Sequence, residues 1–208
     1  RLTPLPSSTM TLVAVTGLVK VSALQRLWRL HKSEFAIAMA ALVGVLAAGI
    51  LRGVLIGALI SILMLLRRAS RPHVAVLGRI PGTSRYSDLA RNPDNEPVPG
   101  VLIFRVEASL LYFNVAYLRD TAWQHVQSER DGLRGVVWDL STTPHVDVAG
   151  AEMLAELHHD LAAAGIAFRI VEARGAVRDI LRAEGLDERV GEISRHLSLD
   201  AVLAELRG

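Results

Sequence analysis

Between residues 35 and 66 apolar positions follow one another for 32 residues, interrupted by one charge, Arg52. Arg67, Arg68 and Arg71 follow at once, and the chain then takes on an ordinary soluble pattern. Hydrocarbon explains such a run better than a water-soluble core does, because a charge at the centre of a membrane helix costs about 2.5–3.5 kcal/mol on insertion scales. As one straight helix, 35–66 would reach about 48 Å at ~1.5 Å per residue, against a hydrocarbon core of about 30 Å. One helix is too long and two full helices would be short. The pattern predicts a hairpin of two short transmembrane helices, 35–49 and 53–67, with Gly49, Arg52 and Gly53 at the turn. A single strongly tilted span is the alternative.

From residue 101 onward short apolar runs alternate with helical periodicity. Strands are predicted at 101–106, 110–113, 135–140 and 167–171. Helices are predicted at 115–129, 148–164 and 176–184, with a last one over 199–206 capped by Ser198. Alternating strands and helices imply a sheet covered by helices. Residues 72–100 are rich in Pro, Gly, Asn and Ser and read as a linker with one strand at 73–80. The organisation expected is therefore 1–33, the end of a preceding membrane helix and a basic connector; 34–68, the hairpin; 69–97, a linker; and 98–208, an α/β domain with a mixed sheet.

Charge sharpens this division. Residues 1–71 carry nine Lys/Arg and one acid, whereas the remainder carries 14 Lys/Arg and 20 acids. The net +2 thus averages a half of +8 and a half of −6. Basic clusters flank both ends of the apolar run, which the positive-inside rule places on one cytoplasmic side, and no nucleic-acid partner is implied. Leu24, Leu27, Trp28 and Leu30 alternate with Arg26, Arg29 and Lys32, as in an interfacial connector. The opening residues look like the tail of an element that began earlier. Small residues recur at every fourth position, Ala36, Ala40, Gly44, Ala48 and then Gly49, Gly53, Gly57, Ser61. Such faces let membrane helices approach closely, within a larger bundle or across a homodimer.

Candidate chemistry is sparse. The chain has no cysteine, which excludes disulfides and thiolate sites. It shows no Walker A loop, no dinucleotide glycine fingerprint and no GxSxG. His158 and His159 are adjacent rather than four apart, and Glu152 and Glu156 lack a third ligand, so no metal, cofactor or catalytic set is assigned. The loop 139–150 stands out. A strand ends, a polar segment follows, and Asp147 is placed to cap a helix whose first N–H groups attract anions.

That loop, DLSTTPHVDVAGAEML, resembles the signature of the STAS domain, shared by anti-sigma-factor antagonists and the C-termini of SulP-type anion transporters. SRPHVAVLGRIPGTSRYSDL (70–89) resembles the SulP connector, FRVEASLLYFNVAYL (104–118) the opening of SulP STAS domains, and the apolar run the last two membrane helices. The resemblance marks Asp139, Ser141, Asp147 and Gly150 as the signature-loop positions. In the antagonists a phosphorylated Ser follows the loop Asp; here Val148 and Ala149 follow Asp147, so that switch is absent. The resemblance implies the C-terminal part of a sulfate- or bicarbonate-type secondary transporter, multi-pass in the inner (plasma) membrane with the STAS domain in the cytoplasm. Implied partners are the bilayer, an upstream transmembrane core holding the substrate site, a second copy in a homodimer, and a cytosolic protein on the STAS domain. A membrane-tethered STAS regulatory module is the other reading.

Overall fold

The computed structural model describes residues 49–207 and, before them, 28, 29, 32, 35, 36, 39, 40 and 42–44. Most of residues 1–34, and seven of the fifteen positions of the expected first hairpin helix, 35–49, lie outside the described residues. Two compact units emerge, Arg1–Leu66 and Arg67–Gly208.

In the first unit Gly49 has φ +83°, a left-handed conformation that glycine adopts without steric cost. A Cβ added to Gly44 would lie 3.5 Å from the Gly53 Cα. Nine residues along one helix would separate these positions by about 13 Å, so the chain turns back on itself at Gly49, and small residues face each other there. The helix that follows, α1 (Ile50–Ala69), starts three residues before the expected one. Arg52 and Gly53 belong to its first turn, and the Gly53 N–H bonds to the Gly49 carbonyl at 3.0 Å.

The expected hairpin of two short transmembrane helices is not seen as membrane spans. Among the described residues no helix is long and apolar enough to cross a membrane. Arg52, Arg67 and Arg68 all fall inside α1. The uncharged stretch between Arg52 and Arg67 is 53–66, which rises about 21 Å.

In the second unit the order is β1 (Val74–Arg79), β2 (Tyr86–Asp88), β3 (Val101–Val106), α2 (Val115–Ser128), β4 (Gly135–Asp139), α3 (Val148–Ala163), β5 (Ala167–Val171), α4 (Gly175–Ala183), α5 (Leu186–Val190) and α6 (Leu199–Arg207). The sheet order is β2-β1-β3-β4-β5. β1 pairs antiparallel with β2 and β3, while β3, β4 and β5 run parallel. The mixed sheet expected from sequence is therefore present.

In segment 69–97, read as a linker with one strand, the strand expected at 73–80 is present as β1, and β2 adds a second. Side-chain bonds hold it: Asn95 Nδ2 donates to Ser87 Oγ at 2.6 Å, and Arg79 Nη2 to Glu96 Oε2 at 2.6 Å. The polar composition of YSD masked β2, because a strand at a sheet edge needs few apolar residues. The strand expected at 110–113 is absent. Leu110 makes one isolated parallel bridge to Val146, and the chain then turns, with the Asn114 N–H bonding back to the Leu111 carbonyl at 2.8 Å.

The sheet is covered on both faces. Leu102, Phe104, Val106, Val136 and Trp138 point into a core shared with α2, α3, α4 and α5. Val101, Ile103 and Val137 point to the other side, against Leu199, Val202 and Leu203 of α6. Burial on both faces explains why VLIFRV and GVVWD read as continuous apolar runs rather than alternating ones. Phe104 and Trp138, both fully buried, meet at a ring separation of 5.8 Å. Arg119 on α2 reaches Glu156 and Asp160 of α3, each at 2.7 Å, and so joins the two helices. Glu156 stays exposed while making that contact.

Candidate functional site

The C-terminal ends of the parallel strands, where open α/β sheets place their ligand crevices, hold a cleft of about 330 Å³. It is lined by Arg105 from β3, Asp139 and Ser141 from the end of β4, and Glu172 just past β5. Arg85 and Tyr86 enter from β2, and Ser198 and Asp200 from the start of α6. Glu172 has φ 57°, the one positive value at a non-glycine residue among the described ones. Held backbone strain of this kind costs on the order of 1–3 kcal/mol and concentrates at functional sites.

The polar groups of the cleft are largely engaged with one another. Asp139 is buried and accepts from Arg105 Nε at 2.9 Å and from the Ser141 N–H at 2.8 Å. Tyr86 donates its hydroxyl to Asp200 at 2.8 Å. Two guanidiniums thus stand among three carboxylates, Asp139, Glu172 and Asp200. A cleft of that balance has no positive surplus with which to draw an anion.

The other two expected residues serve a different place. Asp147 caps α3 with Oδ1, which accepts from the Gly150 N–H at 2.8 Å. Its Oδ2 accepts from the Tyr112 N–H, also at 2.8 Å. The anion-attracting start of α3 is therefore occupied by the protein's own carboxylate. A Cβ on Gly150 would stand 2.7 Å from the Leu110 carbonyl, so glycine is needed for the helix to press against this turn. Thr142 adds a bond from Oγ1 to the Val106 carbonyl at 2.9 Å. The signature loop is thereby divided: Asp139 and Ser141 face the cleft, while Asp147 and Gly150 clasp 110–112.

Two residues that matter here were not marked by the sequence reading. Arg105 is the partner of Asp139; a lone Arg inside an apolar strand was the available signal. Asn114, 2% exposed, holds the 109–114 turn and also donates to the Ala69 carbonyl at 3.4 Å. Nothing in its surroundings in sequence distinguishes it from an ordinary turn Asn. Burial, then Arg189, His159 and Arg169, push the pKa of His158 below the usual 6.5. Among the described residues no group of three or more His, Asp or Glu could hold a metal ion.

A five-stranded mixed sheet, helices on both faces and a capped loop at the end of a central strand define an α/β module whose polar groups bind one another. Residues 92–199 match the family model of the STAS domain, and the chain belongs to that family. It is 31% identical over 194 residues to a probable sulfate transporter of Mycobacterium tuberculosis, covering 93% of this chain and 35% of that protein. It is 30% identical over 200 residues to high affinity sulfate transporter 2 of Stylosanthes hamata, covering 92% of this chain and 30% of that protein. The fold also matches murine Solute Carrier 26 family member A9, an anion transporter in the inward-facing state. That match has TM-score 0.76 and 20% identity, over 93% of this chain and 31% of that one. The chain spans about a third of the length of these relatives.

Proposed function

We propose that this chain is the C-terminal portion of a secondary active inorganic anion transporter of the sulfate or bicarbonate type. It supplies gate-side helices and a regulatory, dimerising STAS domain, and it does not transport by itself. One observation supports the reading above the others: similarity to proteins named as sulfate transporters runs through the apolar segment, the connector and the α/β module together, over 93% of the chain. The α/β unit alone would account for about two thirds of the chain.

In this reading α1 is the second arm of a membrane hairpin that enters and leaves from the cytoplasmic side of a multi-pass inner-membrane protein. The reversal at Gly49 and the Gly44–Gly53 approach favour it. Arg52, Arg67 and Arg68 snorkel to the two interfaces, which lets a short apolar stretch serve. An upstream core supplies the anion site, and the small-residue faces pack against it or against a second copy. In the signature loop Asp139 and Asp147 fix the backbone, Gly150 admits the close packing, and Ser141 is presented to a cytosolic partner.

Uptake of labelled sulfate and bicarbonate into proteoliposomes tests the proposal. A longer polypeptide that contains this chain behind further apolar spans takes up one of the two, and this chain alone takes up neither. Uptake by this chain alone would overturn the dependence on an upstream core. Absence of uptake of both anions by the longer polypeptide would overturn the transporter reading.

A further inference from the structure

The cleft at the strand ends divides its charges into a closed set and an open one. Arg105 and Asp139 neutralise each other, with Arg105 Nε 2.9 Å from Asp139 Oδ2. Arg79 stands within electrostatic reach of Asp200, but its guanidinium is bound by Glu96 at 2.6 Å. One guanidinium and two carboxylates are left in the cleft, those of Arg85, Glu172 and Asp200. All three residues are exposed. Among the described residues the side chains of Arg85 and Glu172 have no hydrogen-bond or ion-pair partner. Asp200 accepts the uncharged Tyr86 hydroxyl at 2.8 Å and no cation bonds to it. Unmatched charges of both signs in one concavity favour a ligand that carries both signs itself. A simple anion would meet two carboxylates, and a simple amine would meet Arg85.

We propose that this cleft binds a free basic amino acid, its carboxylate on Arg85 and its two cationic groups on Glu172 and Asp200. Arg85 meets the carboxylate with the paired donors of a guanidinium, which fixes direction as well as affinity. The two acids then select a second cationic group on the ligand, since a neutral amino acid would leave one of them unmatched. Size agrees with this class. The volume of about 330 Å³ lies at the low end of small-molecule sites, about 300–1,000 Å³. The hydroxyls of Ser84, Ser141 and Ser198 line the same space and can bond either end of such a molecule. Every one of these groups belongs to the unit Arg67–Gly208, so binding here is independent of whether a longer polypeptide carries an anion.

Calorimetric titration of the full chain in detergent micelles tests this, with L-lysine as the probe. Three analogues each lack one of its charges: cadaverine the carboxylate, ε-aminocaproate the α-ammonium, and L-norleucine the ε-ammonium. Lysine should bind saturably below about 10 mM, and each analogue should bind about tenfold more weakly, the worth of one charge-assisted bond. Arg85→Gln should weaken lysine by about the same factor and leave cadaverine unchanged. Glu172→Gln and Asp200→Asn should each weaken lysine and erase its advantage over one of the two analogues that lack an ammonium. Asp200→Asn keeps an acceptor for Tyr86, and the melting temperature of each variant checks that it is folded. Failure of lysine to saturate overturns the site. Cadaverine or L-norleucine binding as tightly as lysine overturns the ligand class. Lysine binding that survives all three substitutions in folded protein lies elsewhere and overturns the assignment to this cleft.

Discussion

Arg105 and Asp139 stand opposite each other in register on the adjacent parallel strands β3 and β4, with Arg105 Nε 2.9 Å from Asp139 Oδ2. The carboxylate is 1% exposed and its second oxygen accepts the Ser141 N–H. The pair thus fixes both the strand ends and the first residue of the signature loop. Removing one partner of a buried pair leaves the other charge uncompensated, at about 3–5 kcal/mol. Arg105 is 24% exposed, so Arg105→Met should fall near the lower figure. Denaturant unfolding of the full chain measures it, and R105M/D139L should regain most of the loss.

Gly150 tests the close approach of α3 to the 110–112 turn. Gly150→Ala inserts a methyl 2.7 Å from a backbone carbonyl that cannot rotate away. Overpacking of this kind costs about 1–3 kcal/mol. The melting temperature should fall accordingly. An unchanged melting temperature would mean that the turn yields, and that Gly150 is incidental.

Asp147 performs two tasks with its two oxygens, and substitutions separate them. Asp147→Ala removes the α3 cap, worth about 0.5–2 kcal/mol, and also strands the Tyr112 N–H. Asp147→Ser keeps an acceptor for the cap and should cost less. Amide exchange distinguishes them further: the Tyr112 N–H should lose protection in both variants, and the Gly150 N–H mainly in Asp147→Ala.

Glu172 holds a left-handed backbone at the cleft. Glycine adopts that conformation without strain, so Glu172→Gly should leave stability unchanged or raise it by up to about 1 kcal/mol. Glu172→Val should lower it by about 1–2 kcal/mol, because a β-branched residue fits that region poorly. Equal effects of the two substitutions would show that side-chain contacts, not backbone strain, set the position.

Two groups give stability the same dependence on pH. His158 has a lowered pKa, from burial first and then from Arg189, His159 and Arg169. The unfolded chain therefore takes up that proton before the folded one, and stability declines as pH falls below about 6.5. Asp88 is also lowered: burial raises it, but the bonds from His73 and the Ala90 N–H outweigh this. Its contribution is present above the ordinary 3.8 and is lost as pH falls through the lower folded value. Denaturation midpoints should drop in these two stages on acidification. His158→Gln should flatten the first and Asp88→Asn the second.

The sequence by itself determined what composition and periodicity carry. Strands such as 101–106 and 135–139 announce themselves because burial on both faces demands unbroken apolar residues. Asp147 was legible as a cap because helix starts depend on the residue next to them. The division into an apolar basic part and an acidic α/β part followed from the apolar run and from charge. Only the tertiary structure decided the rest, because the remaining bonds join residues distant in the chain. β2, unlike the expected β1, exists through pairing with β1 and through side-chain bonds around Asn95 and Glu96, which leave no apolar trace. Segment 110–113 turns rather than pairs because Asn114 and Asp147 capture its backbone from outside. Likewise nothing local could show that Asp139 faces a cleft with Arg105 while Asp147 clasps Tyr112. They stand eight positions apart around one loop, and the direction each takes is set by the strand or helix end against which it packs.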